Sequence, residues 1–332
     1  MAFNLQFTIN QNSTMPIYRQ LVQTINQAIA KSQLNTGDAL PSVNHLCSNY
    51  NLSRDTVFKA YSVLKEEGSV ESVPNKGYFV ANETRKVLLL IDTFKAYKEV
   101  LYHSFIDSIQ ENTIVDVQFH HYHFDNFKTI INNALGKYTK YVVMPFKHED
   151  VNATLSKINP KNLLILDWNT EFESDYNSVF QDFGQGFSDA LQQALSKLKK
   201  YQKVNFIYPT YTNHPEESKL YFKKFCEENN IPFAIKTEKD FNTVNTGEAY
   251  LSVSDRILGK FLAYCKAKGL EPGTNVGFLS YNETPMKQFI HKGITVVSTD
   301  FEAMGKSAAE FVNTNQPIQR KIPTTIHFRN SL

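Results

Sequence analysis

A chain of 332 residues with 42% hydrophobic and 20% charged residues has room for two or three globular units, and no apolar run approaches the ~20 residues of a membrane span. The net charge is +2, and the first 80 residues hold six basic against five acidic side chains, so they form no strongly basic module of the kind that often marks a nucleic-acid binder. Cys47, Cys226 and Cys265 form no closely spaced pair and the N-terminus lacks a signal-peptide pattern, which together favour a cytoplasmic location.

The first eighty residues predict three helices followed by a hairpin. Pro16 suits the first turn of a helix whose apolar residues recur at helical spacing. Ser42 is placed to cap a short second helix, and Ser53 is placed to cap a third helix that stops at Gly68. Two short strands follow around a turn at residues 74–77. This layout is that of a winged helix-turn-helix, although a small helical domain that binds nothing has the same pattern.

A resemblance to the GntR family of DNA-binding regulators covers residues 37–80 and the preceding Pro16-Ile17-Tyr18. Four motifs carry it at characteristic spacings: LPS, LSRDTV, LKEEG and KGYFV. The resemblance implies an α+β winged helix-turn-helix over residues 1–80 that binds double-stranded operator DNA. The residues to which it assigns DNA binding are Ser42, Asn44, Ser53, Arg54, Asp55, Thr56, Lys59, Lys76 and Gly77.

Two positions depart from the family pattern, because many members carry arginine where this chain has Asn44 and Phe58. An asparagine can still recognise adenine through two hydrogen bonds. Phe58 is expected either to pack internally or to contact a thymine methyl group. The operator sequence therefore stays open.

From residue 86 onward, short apolar strands alternate with helical segments, which indicates βαβ units and parallel sheets. About nine strands are expected, a number that suits two sheets better than one. Residues 81–85 form a polar connector ahead of them. We expect strands at 87–91, 115–119, 141–144, 163–166, 204–207, 249–253 and 276–279, and helices at 96–109, 127–135, 185–198 and 255–268.

This region resembles the effector domain of the LacI repressor family, an α/β two-lobed periplasmic-binding-protein-like (type I) domain. The likeness is carried by the segments SDRILG (254–259), GLEPG (269–273), GITVV (293–297), MGKSAA (304–309) and IPTTI (322–326). It implies a sugar-sensing domain over residues 86–332. By the same resemblance, lobe 1 covers about 86–168 and 284–318, and lobe 2 covers about 169–283 and 319–332.

Ligands of such folds bind beyond the carboxyl ends of the strands. By the resemblance, Ser254 and Asp255 bind sugar hydroxyls with Tyr281 or Asn282 nearby, while aromatic residues after other strands offer stacking surfaces. Trp168, the only tryptophan, is either a pocket wall or ordinary core. Serine replaces the family's usual asparagine at 254, so the pocket chemistry differs from that of better-known members. The expected effector-binding set is Asp92, Phe94, Phe146, Asp167, Trp168, Asp182, Ser254, Asp255, Tyr281 and Asn282.

A GntR-type DNA-binding domain joined to a LacI-type sensor resembles the arabinose repressors of Gram-positive bacteria, which favours a monosaccharide effector such as L-arabinose or L-fucose. We therefore expect a homodimer on two DNA half-sites, in which effector binding closes the cleft between the lobes and the change reaches the connector. The alternatives are a domain that only dimerises, binds a protein partner or takes a sugar phosphate.

Catalytic motifs are missing from the sequence: there is no P-loop, GxSxG, HExxH or complete GxGxxG. The sequence therefore disfavours an enzyme, and no cofactor is expected. His120, His121 and His123 alternate around an expected edge strand and have no Cys or carboxylate at ligand spacing, so we expect no metal there.

Overall fold

The structure is a computed structural model of the chain. It describes residues 7–11, 13–31, 33–74, 76–81, 85–111, 113–168, 176–314 and 316–332. Three sequence expectations fall outside the described residues: turn residue Asn75, most of the connector (residues 82–84) and the start of the second lobe at residue 169.

The N-terminal part folds as three helices and a hairpin. In chain order its elements are α1 (Ile17–Ala30), α2 (Val43–Tyr50), α3 (Arg54–Glu66), β1 (Val70–Val73) and β2 (Gly77–Val80). The strands pair antiparallel, with Val70 opposite Val80. Gly68, which ends the third helix, has a left-handed φ of 73° that favours glycine. The expected winged helix-turn-helix is confirmed.

The core of the winged helix lies between α1 and α3. Leu21 and Ile25 on α1, and Val57, Tyr61 and Leu64 on α3, are all fully buried. Full burial of a side chain of this size contributes roughly 1.5–3 kcal/mol to the free energy of unfolding. Because these apolar positions recur at helical spacing, they all lie on the inward face of α3, and the residues between them form its outward face.

The rest of the described chain alternates strands and helices. The elements are β3 (Arg85–Ile91), α4 (Ala96–Ser108), β4 (Thr113–Phe119), α5 (Phe124–Ala134), β5 (Lys140–Val143), α6 (Val151–Leu155), β6 (Leu163–Asp167), β7 (Asn177–Gln181), α7 (Gln185–Gln193), α8 (Leu195–Leu198), β8 (Lys203–Ile207), α9 (Glu217–Glu228), β9 (Phe233–Lys236), β10 (Glu248–Ser252), α10 (Asp255–Lys268), β11 (Gly277–Tyr281), β12 (Thr295–Thr299), α11 (Phe301–Thr314), β13 (Gln319–Ile322) and β14 (Thr324–His327). Short 3₁₀ helices lie at Pro160–Asn162, Pro285–Gln288 and Ile290–Lys292.

These strands form two six-stranded sheets, in the orders β13-β7-β6-β5-β3-β4 and β14-β12-β11-β10-β8-β9. In the first sheet β3 pairs parallel with β4 and β5, and β5 with β6. In the second, β8 to β12 pair parallel and β14 joins antiparallel. The central strands β5, β11 and β12 are buried at every position, as expected where both faces of a sheet are covered. The expected α/β fold with two sheets is confirmed.

Strand placement differs from the sequence expectation in two places. β12, within the range 284–318 expected in lobe 1, pairs with β11 in the second sheet. β13, within the range 319–332 expected in lobe 2, is an edge strand of the first sheet. The apolar pattern of a strand does not depend on which sheet it joins, so sequence alone could not separate the two. β4 is an edge strand, as expected.

Across the described ranges, no helix combines the length and apolarity needed to span a bilayer.

Candidate functional sites

Two serines define where the second and third helices begin. Ser42 Oγ accepts a hydrogen bond from the backbone N–H of His45 at 3.1 Å, which caps α2. Ser53 Oγ accepts from the N–H of Thr56 at 3.1 Å and lies 2.8 Å from Thr56 Oγ1. Ser42, Ser53 and Thr56 thus build the ends of the helices that carry the predicted DNA-binding residues.

Replacing Ser53 with alanine is expected to lower the free energy of unfolding by about 1 kcal/mol, because the first turn of α3 loses its cap. Urea unfolding followed by helical circular dichroism measures the change. Ser62→Ala is the matched control, since Ser62 is exposed in the middle of the same helix and caps nothing. Equal stability of Ser53→Ala and wild type would contradict the capping role.

The outward face of α3 carries Arg54 and Asp55 in its first turn, followed by Phe58, Lys59 and Ser62, and all five are exposed. Lys59 Nζ lies 4.4 Å from the centroid of the Tyr18 ring, a cation–π contact that holds it against α1. Arg54 and Asp55 are therefore the charged groups that α3 presents most directly at its N-terminal end.

The remaining predicted DNA-binding residues lie on α2 and at the turn of the hairpin. Asn44 is exposed in the first turn of α2, and Lys76 and Gly77 are exposed at the turn. Gly77 has φ 111°, while a Cβ built there would meet no atom within 4 Å. Backbone conformation, and not lack of space, therefore requires glycine at this turn.

The expected effector residues follow strands of both sheets, and each sheet has its own edge at the carboxyl ends of its parallel strands. The first-sheet edge, at the carboxyl ends of β3 to β6, holds Asp92, which is 4% exposed. Asp92 Oδ1 accepts from the N–H of Thr93 at 2.6 Å, and the Tyr122 hydroxyl donates to Asp92 Oδ2. Burial raises the pKa of Tyr122, and the nearby carboxylate of Asp167 acts in the same direction. Asp92 and Asp167 are thus both brought to this edge, around a neutral phenol.

Phe146, expected as a stacking surface for a ligand, is instead 9% exposed and stacked on His120, with ring centroids 4.8 Å apart. His120 Nδ1 accepts from the N–H of Tyr122 at 3.1 Å, so its Nε2 carries the proton and donates to the carbonyl of Met144 at 3.0 Å. His120 therefore has a structural role. Within the described chain, no group of His, Cys, Asp and Glu has the arrangement of a metal site.

Trp168 contributes to the apolar core and also lies at the first-sheet edge. Its ring packs against the apolar core of the first sheet, while its indole Nε1 is buried without a hydrogen-bond partner in the described chain. Thr93 Oγ1 is also buried without such a partner. Buried indole N–H groups usually find an acceptor, so two polar groups at this edge have hydrogen-bonding capacity that the described residues do not use.

The second-sheet edge, at the carboxyl ends of β8 to β12, is organised by a lysine that sequence reasoning missed. Lys287 is 2% exposed, and its Nζ lies 2.8 Å from Asp255 Oδ1. The same ammonium donates to the carbonyls of Tyr281 at 3.0 Å and Asn282 at 2.6 Å. Burial lowers the pKa of Lys287, and Asp255 opposes this shift. Lys287 therefore ties the start of α10 to the end of β11.

Ser254 and Asn282 also lie at the second-sheet edge. The Ser254 hydroxyl shares a 2.9 Å hydrogen bond with the Tyr211 hydroxyl, and the Arg256 guanidinium lies 5.4 Å from the centroid of the Tyr211 ring. Asn282 Oδ1 is buried and has no hydrogen-bond partner among the described residues. Tyr211 was not predicted as a site residue. It follows β8, however, and ligands of such folds bind beyond the carboxyl ends of the strands, so the same argument applied to β8 would have indicated Tyr211.

His214 is a second unpredicted residue that follows β8. Its ring packs edge-on against Tyr281 at 4.6 Å and Phe183 at 5.2 Å between centroids. Burial lowers the pKa of His214 to about 3, so the imidazole is neutral at physiological pH. Its Nε2 is buried with no hydrogen-bond partner in the described chain. Tyr281 itself is 1% exposed, so its ring serves packing.

Asp182 and Phe94 are the remaining expected effector residues. Asp182 Oδ1 accepts from the N–H of Gly184 at 3.0 Å, and Asp182 Oδ2 lies 3.4 Å from Lys321 Nζ, so Asp182 serves the turn into α7. Phe94 is 49% exposed and packs edge-on against Tyr102 at 5.7 Å.

Solved structures similar to this one include two repressors. The trehalose repressor from Escherichia coli superposes with a TM-score of 0.63 at 13% identity, covering 74% of this chain and 100% of that one. A dimeric Lac repressor superposes with a TM-score of 0.64 at 15% identity, covering 74% of this chain and 98% of the other. At such identities the likeness establishes the fold.

Sequence comparison identifies the N-terminal part. Residues 17–80 match the family model described as bacterial regulatory proteins, gntR family. The HTH-type transcriptional repressor YtrA of Bacillus subtilis is 33% identical over 100 residues, which are 30% of this chain and 76% of YtrA. The mannosyl-D-glycerate transport/metabolism system repressor MngR of Escherichia coli is 33% identical over 102 residues, which are 31% of this chain but only 42% of MngR. This chain therefore belongs to the gntR family of bacterial regulatory proteins.

Proposed function

We propose that this transcription regulator is a repressor of carbohydrate-utilisation genes, whose operator binding is modulated by a monosaccharide such as L-arabinose or L-fucose. The observation that carries the effector proposal is a set of buried polar atoms at each sheet edge that follow strand ends and lack hydrogen-bond partners in the described chain. These are Thr93 Oγ1 and Trp168 Nε1 at the first-sheet edge, and His214 Nε2 and Asn282 Oδ1 at the second-sheet edge. Such atoms cost free energy unless they are hydrogen-bonded. A sugar hydroxyl both donates and accepts, so it suits this mixed set.

The second-sheet edge, taken by itself, holds neutral and charged groups. His214 is neutral and Asp255 is paired with Lys287. Lys95 and Arg256 add positive charge near Asp255, so a sugar phosphate is the alternative ligand. Aromatic rings stand close to both edges, including the indole of Trp168, and can cover the apolar face of a sugar ring.

The names of similar proteins support the same proposal. MngR is named as a repressor of a mannosyl-D-glycerate system, and a structural neighbour as a trehalose repressor. The Lac repressor neighbour is named as dimeric, in line with a homodimer that holds two winged helices on two half-sites. We assign residues 1–80 to operator binding, 81–85 to a connector and 86–332 to effector sensing. An effector can change the affinity for the operator only if it binds the DNA-binding conformation and the other conformation of the protein with different affinities.

Thermal unfolding against a panel of monosaccharides and sugar phosphates tests this function. An effector at about 100 times its Kd is expected to add about 2.7 kcal/mol to the stability and to raise Tm visibly. Because Trp168 is the only tryptophan, the same ligand should change its emission in a saturable way. A shift with sugar phosphates alone would replace the monosaccharide, and no shift at all would favour a domain that only dimerises or binds a protein.

A further inference from the structure

Phe58 is an apolar side chain on a helix face that is otherwise polar. It is 42% exposed, and it belongs neither to the buried core of the winged helix nor to the half-buried residues packed against that core. Met15, at 38%, is the other large apolar side chain with comparable exposure in the described part of the winged helix. The sequence left internal packing and a thymine contact as alternatives for Phe58, and its exposure argues against packing.

The position of Phe58 on α3 places it among the residues assigned to operator binding. It lies four residues after Arg54, three after Asp55 and four before Ser62, so all four share one face of the helix. The neighbouring Lys59 is held against the Tyr18 ring. Phe58 therefore occupies the middle of the exposed face, between a charged N-terminal end and a small hydroxyl residue.

The edges of the bases in a major groove are almost entirely hydrogen-bond donors and acceptors. The exception is the 5-methyl group of thymine, which is an apolar surface suited to a phenyl ring. An exposed ring at the middle of a DNA-binding face gains from contact with such a group, because both surfaces then leave water. Without one, the ring would desolvate polar base edges and offer them no hydrogen bond in return.

We propose that Phe58 recognises thymine, by packing its ring against a 5-methyl group in the major groove of each operator half-site. This inference rests on the proposed binding of operator DNA through α3. It assigns Phe58 a specificity role that Arg54 does not share, since guanidinium groups recognise guanine.

The test begins with an operator selected by the full-length protein from a random duplex pool. Each thymine of the selected site is then replaced singly by deoxyuridine, which removes the methyl group and leaves every hydrogen-bonding atom in place. We expect one or two positions per half-site at which this replacement weakens wild-type binding by about fourfold, the equivalent of burying one methyl-sized group. Replacement elsewhere should leave Kd unchanged.

Two variants connect the methyl effect to Phe58. Phe58→Ala is expected to bind the thymine operator about as weakly as wild type binds the deoxyuridine operator, and to show no further loss on deoxyuridine replacement. Met15→Ala removes the other exposed apolar side chain and is expected to keep the wild-type pattern. Equal Tm values for the three proteins exclude a folding effect.

Wild-type binding that is insensitive to deoxyuridine at every position would overturn the inference, even if Phe58→Ala were poorly folded. The same sensitivity in Phe58→Ala as in wild type would also overturn it, by assigning the methyl contact to another residue. Failure of the pool selection is a different result, because it would contradict operator binding itself and with it the proposed function.

Discussion

Arg54→Ala is expected to weaken operator binding by roughly ten- to hundredfold while leaving effector binding and Tm unchanged. Arg54 is exposed at the first helical position of α3, so its loss removes no packing from the core of the winged helix. An arginine in this place can donate two hydrogen bonds to guanine, and one such contact is worth about 1–3 kcal/mol. A second contribution is the lost positive charge near the phosphates.

A matched control separates these two contributions. Lys65 lies in the last turn of the same helix, where its ammonium donates to Ser72 Oγ at 3.3 Å. Lys65→Ala removes the same unit of charge from the far end of α3 and should change Kd much less. Fluorescence anisotropy at one fixed salt concentration, with the selected operator and with a scrambled duplex, measures both variants. Normal operator binding by Arg54→Ala would show that α3 is not the recognition helix.

The winged helix was predictable because its determinants are local. Ser42 and Ser53 each accept a hydrogen bond from the backbone N–H of the residue three positions later in the chain. This spacing can be recognised in the sequence. Gly68 ends α3 in a left-handed conformation that glycine adopts without strain. The apolar positions of α3 repeat at helical spacing and became its buried face. Each of these features depends only on residues that lie close together in the sequence.

The effector site was less predictable because its determinants are distant in sequence. Lysine is rarely buried, so nothing marked Lys287 as the partner of Asp255, 32 positions earlier in the chain. Phe146 and Phe94 both follow strands, yet one is stacked on His120 and the other is exposed. The carboxyl ends of the strands indicate where a site lies in such a fold, but side-chain packing decides which residues can contact a ligand.

A second large effect is expected from breaking the ion pair between Lys287 and Asp255. Lys287→Met is expected to abolish the response of operator binding to the effector while the effector-free protein still binds DNA. The ammonium fixes three acceptors at once, namely the carbonyls of Tyr281 and Asn282 and the Asp255 carboxylate. Methionine has similar length and no donor, so those acceptors lose their partner, at a cost of about 1–3 kcal/mol to stability. The end of β11 and the start of α10 would then no longer be held together.

Lys292→Met is the matched control for this prediction. Lys292 lies five positions further on and also pairs with a carboxylate, at 2.7 Å from Glu271, but its side chain is 69% exposed. An exposed ion pair contributes little, so Lys292→Met should keep both stability and response. Operator Kd measured with and without the effector identified by the thermal panel gives the response, and urea unfolding gives the stability.

Asp255 variants then distinguish direct binding of the ligand from positioning. Asp255→Asn keeps an oxygen that can accept from Lys287 but removes the charge, whereas Asp255→Ala removes both. If Asp255 itself holds a sugar hydroxyl through its charged carboxylate, both variants lose affinity for the effector while keeping operator binding. If its part is to anchor Lys287, Asp255→Asn keeps the response that Asp255→Ala loses. An unchanged response in Asp255→Ala would remove Asp255 from the effector site and leave Lys287 to act through Tyr281 and Asn282 alone.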